Sequence, residues 1–205
     1  MNHISVSDAK GIMGKNMIGP EEIDKLTDMK LLLGELLPEI QYSRDELEKK
    51  KEDYILILGI GSFNDGSPVT IRNMKKIVGM NPELSEPCFY NQDWYNKEDF
   101  IDIPMRDGWF LIRKEIYEES RAIQPLELKE KYNFPSAISC TYAFFMAWYI
   151  LGIKLWYHDF VWCSDTDHNG DRIYVGKYHD VDGVNKNGFS IHRHLALRPC
   201  YGCID

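Results

Sequence analysis

The sequence predicts an α+β protein: N-terminal helices, then an irregular antiparallel sheet built around one central buried helix. Three stretches carry that prediction. Residues 54–60, YILILGI, form a continuous apolar run of strand length. Residues 136–150, SAISCTYAFFMAWYI, are apolar on nearly every helical face, which marks a helix buried on all sides. Residues 156–179 run from aromatic residues through an Asp/Asn/Gly-rich turn into a second β-prone run, and Asn169-Gly170 is a strong hairpin signal because a type I′ turn needs positive φ at both central residues.

The elements follow in order. Residues 1–19 carry Gly11, Gly14 and Gly19 without periodicity and predict a loose arm. Pro20, Glu21 and Glu22 open a helix, with proline in the first turn and acids at the positive end of the dipole. Leu26, Met29, Leu32, Leu33, Leu36 and Leu37 extend its apolar stripe until Pro38. Ser43 to Glu46 is a capping box for a charged second helix ending at Lys51. Together these make an N-terminal helical extension over 1–52, with the α+β domain over 53–205. Thr70 caps a helix that Gly79 terminates. Residues 108–113 form a strand, residues 125–131 a short helix, and residues 188–197 a last strand with Ser190, His192 and His194 on one face.

Charge and composition exclude several classes. Twenty-four Lys/Arg against 32 Asp/Glu give a net charge of −8, and no basic block occurs, so a nucleic-acid surface has little electrostatic support. The longest apolar run, residues 143–152, is too short for a membrane span, and the first residues lack the apolar core of a signal peptide. Five cysteines, Cys88, Cys140, Cys163, Cys200 and Cys203, are an odd number in a chain large enough to bury a core. The expectation is reduced thiols in a cytoplasm. Gly59, Gly61 and Gly66 follow a strand but miss the G-x-G-x-x-G spacing, so a dinucleotide site is not expected.

Several constellations bear chemistry. Asp165, Asp167, Asn169 and Gly170, with Asp171, match the first half of a calcium loop, in which oxygen ligands alternate around a glycine bend. The twelfth position is Gly176 rather than a bidentate Glu; the plainer reading is a hairpin tip in which Asp167 pairs with Arg172. His192, His194, Cys200 and Cys203 give H-x-H-x5-C-x2-C, a donor set chemically adequate for tetrahedral zinc. A cysteine nucleophile at Cys163 needs His158 or His179 as base. A two-residue loop at Asn169-Gly170 would instead place Cys163 opposite Gly176 and His158 on the other face. Aromatic residues Phe89, Tyr90, Trp94, Tyr95 and Phe100 cluster in a polar loop, either as a stacking platform or as a loop pinned to the core by its rings.

The order Phe134-Pro135-Ser136-Ala137 with Tyr142-Ala143, then Val161-Trp162-Cys163-Ser164-Asp165, then Phe189-Ser190-Ile191-His192-Arg193 and Leu197-Arg198, resembles the C-terminal half of C-type-lectin-like domains. The branch is the one shared by formylglycine-generating-enzyme-like proteins and bacterial ligand-binding domains. The resemblance covers residues 108–203 and implies a sheet with long loops that display a binding surface. The E-P-N calcium motif of sugar-binding members is absent and the paired cysteines of the oxidase members have no match, so the resemblance does not imply sugar, calcium or oxidase chemistry.

The expected function is thus a non-catalytic recognition domain that binds a protein or small ligand through surface loops, without nucleic acid or membrane. Expected contacts are Tyr90, Trp94 and Tyr95, with Asp180, Asp182, Asn185 and Asn187 after the hairpin. No resident cofactor is expected; calcium or zinc belongs to the alternative, a metal-dependent enzyme using the His/Cys or Asp cluster. In a third reading the 20–38 helix is an assembly interface.

Overall fold

The computed structural model describes residues 4–156, 158–177 and 188–205. Ser5 caps α1 (Val6–Met13) by accepting the Asp8 N–H at 3.0 Å. The chain then forms β1 (Met17–Ile18) and a short α2 (Pro20–Asp24). The predicted loose arm is therefore a helix and a strand, held by burial of Ala9, Met13, Met17 and Ile18.

The long helix predicted over 20–38 does not form. It ends at Asp24, a 3-10 turn spans Thr27–Met29, and Lys30 adopts a left-handed conformation at φ 51°. Leu31 then makes an isolated antiparallel bridge with Phe63, so backbone pairing replaces the helix. The leucines that fit a helical stripe are left outside: Leu32, Leu36 and Leu37 are 47%, 92% and 41% exposed.

The capping box reads true in α3 (Arg44–Lys50), where Ser43 and Glu46 bond reciprocally. Next come β2 (Tyr54–Gly59), buried along its length, and α4 (Ile71–Val78), capped by Thr70 and closed by Gly79 at φ 82°. β3 (Gly108–Arg113) pairs antiparallel with β2, and β1 pairs parallel with it, giving a sheet of order β1-β2-β3. Residues of the 1–52 segment, among them Ile23, Met29, Ile40 and Leu47, belong to the same hydrophobic cluster as β2.

A short α5 (Pro125–Leu128) precedes α6 (Ala137–Met146), which continues as a π-helical turn over Ala147–Leu151. Ser136 caps α6, and the Asp165 carboxylate accepts the Ala137 N–H at 2.6 Å. As expected, nine of its ten residues are buried. Its Tyr142 donates to the Leu58 carbonyl at 3.1 Å, tying the helix to the first sheet.

The second sheet contains β4 (Phe160–Thr166), β5 (Arg172–Gly176), β6 (Ser190–Arg193) and β7 (Tyr201–Gly202), in the order β6-β5-β4-β7. Side-chain alternation splits it between two cores. Val161, Cys163, Ile173, Val175 and Ile191 face the main core with α6, whereas Phe160, Trp162, Tyr174 and Tyr201 form a satellite aromatic core with Leu128 of α5. Two outer strands have edges occupied by side chains. On β3, Gln41 donates to the Trp109 carbonyl at 2.8 Å and the Tyr42 hydroxyl accepts the Leu111 N–H at 3.1 Å. On β6, Gln92 accepts the Ile191 N–H at 3.1 Å and the Trp94 indole donates to the Ile191 carbonyl at 3.0 Å.

The chain is therefore an α+β protein with two mixed sheets around a buried helix. No helix among the described residues is long and apolar enough to cross a membrane.

Candidate functional site

The hairpin is present, with a register that differs from the sequence reading. Phe160 rather than Cys163 lies opposite Gly176, and Thr166 pairs with Arg172, which leaves a five-residue loop over 167–171. Gly170 takes positive φ at 86°, but Asn169 does not, so no type I′ turn forms. Asp167 is the reason. Its Oδ1 accepts the Asn169 and Asp171 N–H groups, both at 2.9 Å, and its own N–H bonds the Asp171 carbonyl, so one buried carboxylate closes the loop.

Asp167 pairs with Arg193 of β6 at 3.2 Å, not with Arg172. The Arg172 guanidinium instead donates to the Ser164 carbonyl at 2.5 Å. Burial pushes the Asp167 carboxyl up; the Asp171 and Asn169 N–H donors and Arg193 more than offset this, holding it below its ordinary range. Asp165 points elsewhere, to the α6 N-terminus, and burial raises its pKa. Asp165, Asp167 and Asp171 thus do not converge as a calcium shell. Glu98 joins the loop instead: its two carboxylate oxygens meet the His168 N–H at 2.9 Å and the His168 Nδ1 at 2.7 Å.

The aromatic loop is pinned to the core, the second of its two readings. Tyr95 is 1% exposed, and Trp94 is half-buried, spending its indole N–H on β6 while Arg193 lies over its ring at 5.5 Å. Tyr90 is half-buried and bonds through its backbone to Phe189. Asp180, Asp182, Asn185 and Asn187, with His179, lie outside the described residues.

The zinc arrangement does not assemble either. His192 stacks on Tyr174 with centroids 5.3 Å apart, and His194 meets the Trp162 ring edge-on at 5.0 Å while its Nε2 contacts Gln124. Cys203 is buried and its thiol pKa is pushed up to about 11 by desolvation. Among the described residues, the one group of three ligating side chains within 4.8 Å is Glu98, Asp167 and His168, and it includes none of His192, His194, Cys200 or Cys203. Cys163 is fully buried, its pKa raised by desolvation, and it hydrogen-bonds weakly to the Val161 carbonyl. All five cysteines are free thiols.

The packed His192 has a measurable consequence. Burial, with Arg198 adding, lowers its pKa to about 4. The unfolded chain takes up that proton near pH ~6.5, so stability is complete above that value and is lost as pH falls toward the folded value. Denaturation at about pH 7 and pH 5 is expected to show a loss of about 1–2 kcal/mol that is absent in His192→Phe. An equal loss in the variant would assign the effect to other groups.

Exposed apolar surface concentrates elsewhere, where the failed helix lies. One cleft of about 470 Å³ is lined by Leu32, Leu36, Leu37, Pro38, Ile60 and Asp107. A second, of about 480 Å³, runs past Gln41, Ile103, Asp107, Trp109, Phe110 and Ile138. They share Asp107 as a wall, and Asp107 is fixed by accepting the Gly61 N–H at 2.8 Å. Trp109 donates to the Pro38 carbonyl at 2.9 Å, so the leucine segment is fastened beside the groove.

Sequence reasoning missed both assemblies for one reason. Glu98 is 70 positions from His168, and the leucines fitted a helix that a tertiary bridge prevents. Against these features, no protein-family model, curated protein or solved structure matches the chain.

Proposed function

We propose that the protein is a non-catalytic recognition domain that holds an extended apolar segment of a partner protein in the groove between residues 31–38 and 103–110. The observation that carries this is the exposure of Leu32, Leu36 and Leu37, with Ile103 at 44%, along two clefts that share one wall. Clustered exposed leucines cost solubility, and a partner that covers them recovers about 1.5–3 kcal/mol at the almost fully exposed Leu36 and about half that at each of the half-exposed Leu32 and Leu37.

A random-peptide library panned on the purified chain tests this. Apolar peptides are expected to be enriched, and the double variant Leu36→Asp/Leu37→Asp is expected to bind them at least about tenfold more weakly. Peptides that bind the double variant as well as the wild type would sink the proposal.

A further inference from the structure

The hairpin loop holds a donor set that shares no residue with the groove. One oxygen each from Glu98 and Asp167 and a ring nitrogen of His168 lie within 4.8 Å of one another. These are not surface acids: Glu98 and Asp167 are 6% and 5% exposed, and they come from segments 69 positions apart, since 167 − 98 = 69. The third donor is an imidazole, whose side chain is 67% exposed. Two buried carboxylates at this separation repel each other and require positive charge. Arg193 supplies one charge, 3.2 Å from Asp167. The Glu98 carboxylate faces the His168 ring nitrogen at 2.7 Å, so these two donors already lie close enough to share one ion.

The placement of each donor also suits an ion. Glu98 is fixed by the His168 backbone N–H and Asp167 by two loop N–H groups, so neither carboxylate has to be ordered when an ion arrives. His168, being exposed, gives entry from solvent and room for water ligands. A mixed nitrogen and oxygen set selects borderline first-row ions over calcium or magnesium, which take oxygen alone. We infer that Glu98, Asp167 and His168 form a binding site for a divalent cation of the manganese–zinc class.

Titration of the full chain with manganese(II), reading free ion by electron paramagnetic resonance and displacing it with zinc, tests the site. Expected are one saturable equivalent, displacement by zinc and not by equimolar calcium, and weakening by about 10–100-fold or more in His168→Ala. His168→Ala removes an exposed side chain but also the ring partner of buried Glu98, so its fold is checked by circular dichroism before titration; Glu98→Gln is the second variant, and His194→Ala is expected to leave binding unchanged. Absence of saturable uptake, binding that survives both His168→Ala and Glu98→Gln, or preferential displacement by calcium would each overturn the assignment.

Discussion

Trp162→Ala is expected to cost about 3–5 kcal/mol, whereas Trp162→Phe costs far less. Trp162 is fully buried in the satellite core, with ring contacts to Tyr174, Tyr201 and His194 at 5.2, 5.7 and 5.0 Å. Alanine would leave a cavity that α5 and the three rings cannot collapse into, and truncations of this kind fall in that range. Phenylalanine keeps most of the volume. It also removes the indole N–H, which is buried with no hydrogen-bond partner among the described residues, so a desolvation penalty disappears along with the lost area. Thermal unfolding should show a fall of roughly 6–20 °C for alanine, at about 2–4 °C per kcal/mol for a chain of this size. Equal losses for the two variants would mean that the indole nitrogen, and not ring volume, stabilises this core.

Gly188→Ala is expected to be nearly as damaging, by about 2–4 kcal/mol. A Cβ at this position would sit against the Phe89 carbonyl carbon, the Cys88 carbonyl oxygen and the Tyr90 nitrogen, all backbone atoms and all nearer than real Cβ atoms approach. Nothing flexible is available to move. The bonds lost are those that join the last strand to the aromatic loop: Phe189 N–H to Cys88 at 2.7 Å and Tyr90 N–H to Phe189 at 2.9 Å. Overpacking against fixed backbone costs at least as much as overpacking a core of side chains. Gly11→Ala is the contrast. Gly11 lies in α1 with nothing within 4 Å of the place an added methyl would take, so alanine there is expected to stabilise by about 0.5–1 kcal/mol. Urea denaturation of both variants separates close packing from a general intolerance of glycine replacement.

Elements with local causes were legible in the sequence. The capping box at Ser43, the Thr70 and Gly79 limits of α4 and the apolar run of β2 each depend on residues within a few positions, and each forms where expected. Elements decided by distant partners were not. Residues 26–37 carry a helical period, but pairing of Leu31 with Phe63 and the left-handed Lys30 stop the helix. Asn169-Gly170 signals a turn correctly. Its length is set by the Asp167 carboxylate, whose choice of Asn169, Asp171 and Arg193 over Arg172 depends on where β6 lies. The aromatic loop was ambiguous for a similar reason: Trp94 looks the same in sequence whether its indole faces solvent or the Ile191 carbonyl. Glu98 carried no signal, because an isolated acid in a polar loop gains significance only from a residue 70 positions later.

The side chains on the edges of β3 and β6 make sheet continuation and loop release one event. Each edge is closed by a glutamine and an aromatic residue from an earlier loop, Gln41 with Tyr42 and Gln92 with Trp94. A neighbouring chain that adds a strand at either of these edges must first displace both side chains there. On β6 that also frees the ring beneath Arg193 and so loosens the partner of Asp167. These two edges are therefore guarded against edge-to-edge pairing by segments only a few residues long, and displacement of Gln92 and Trp94 is the step that would expose the β6 edge as a template.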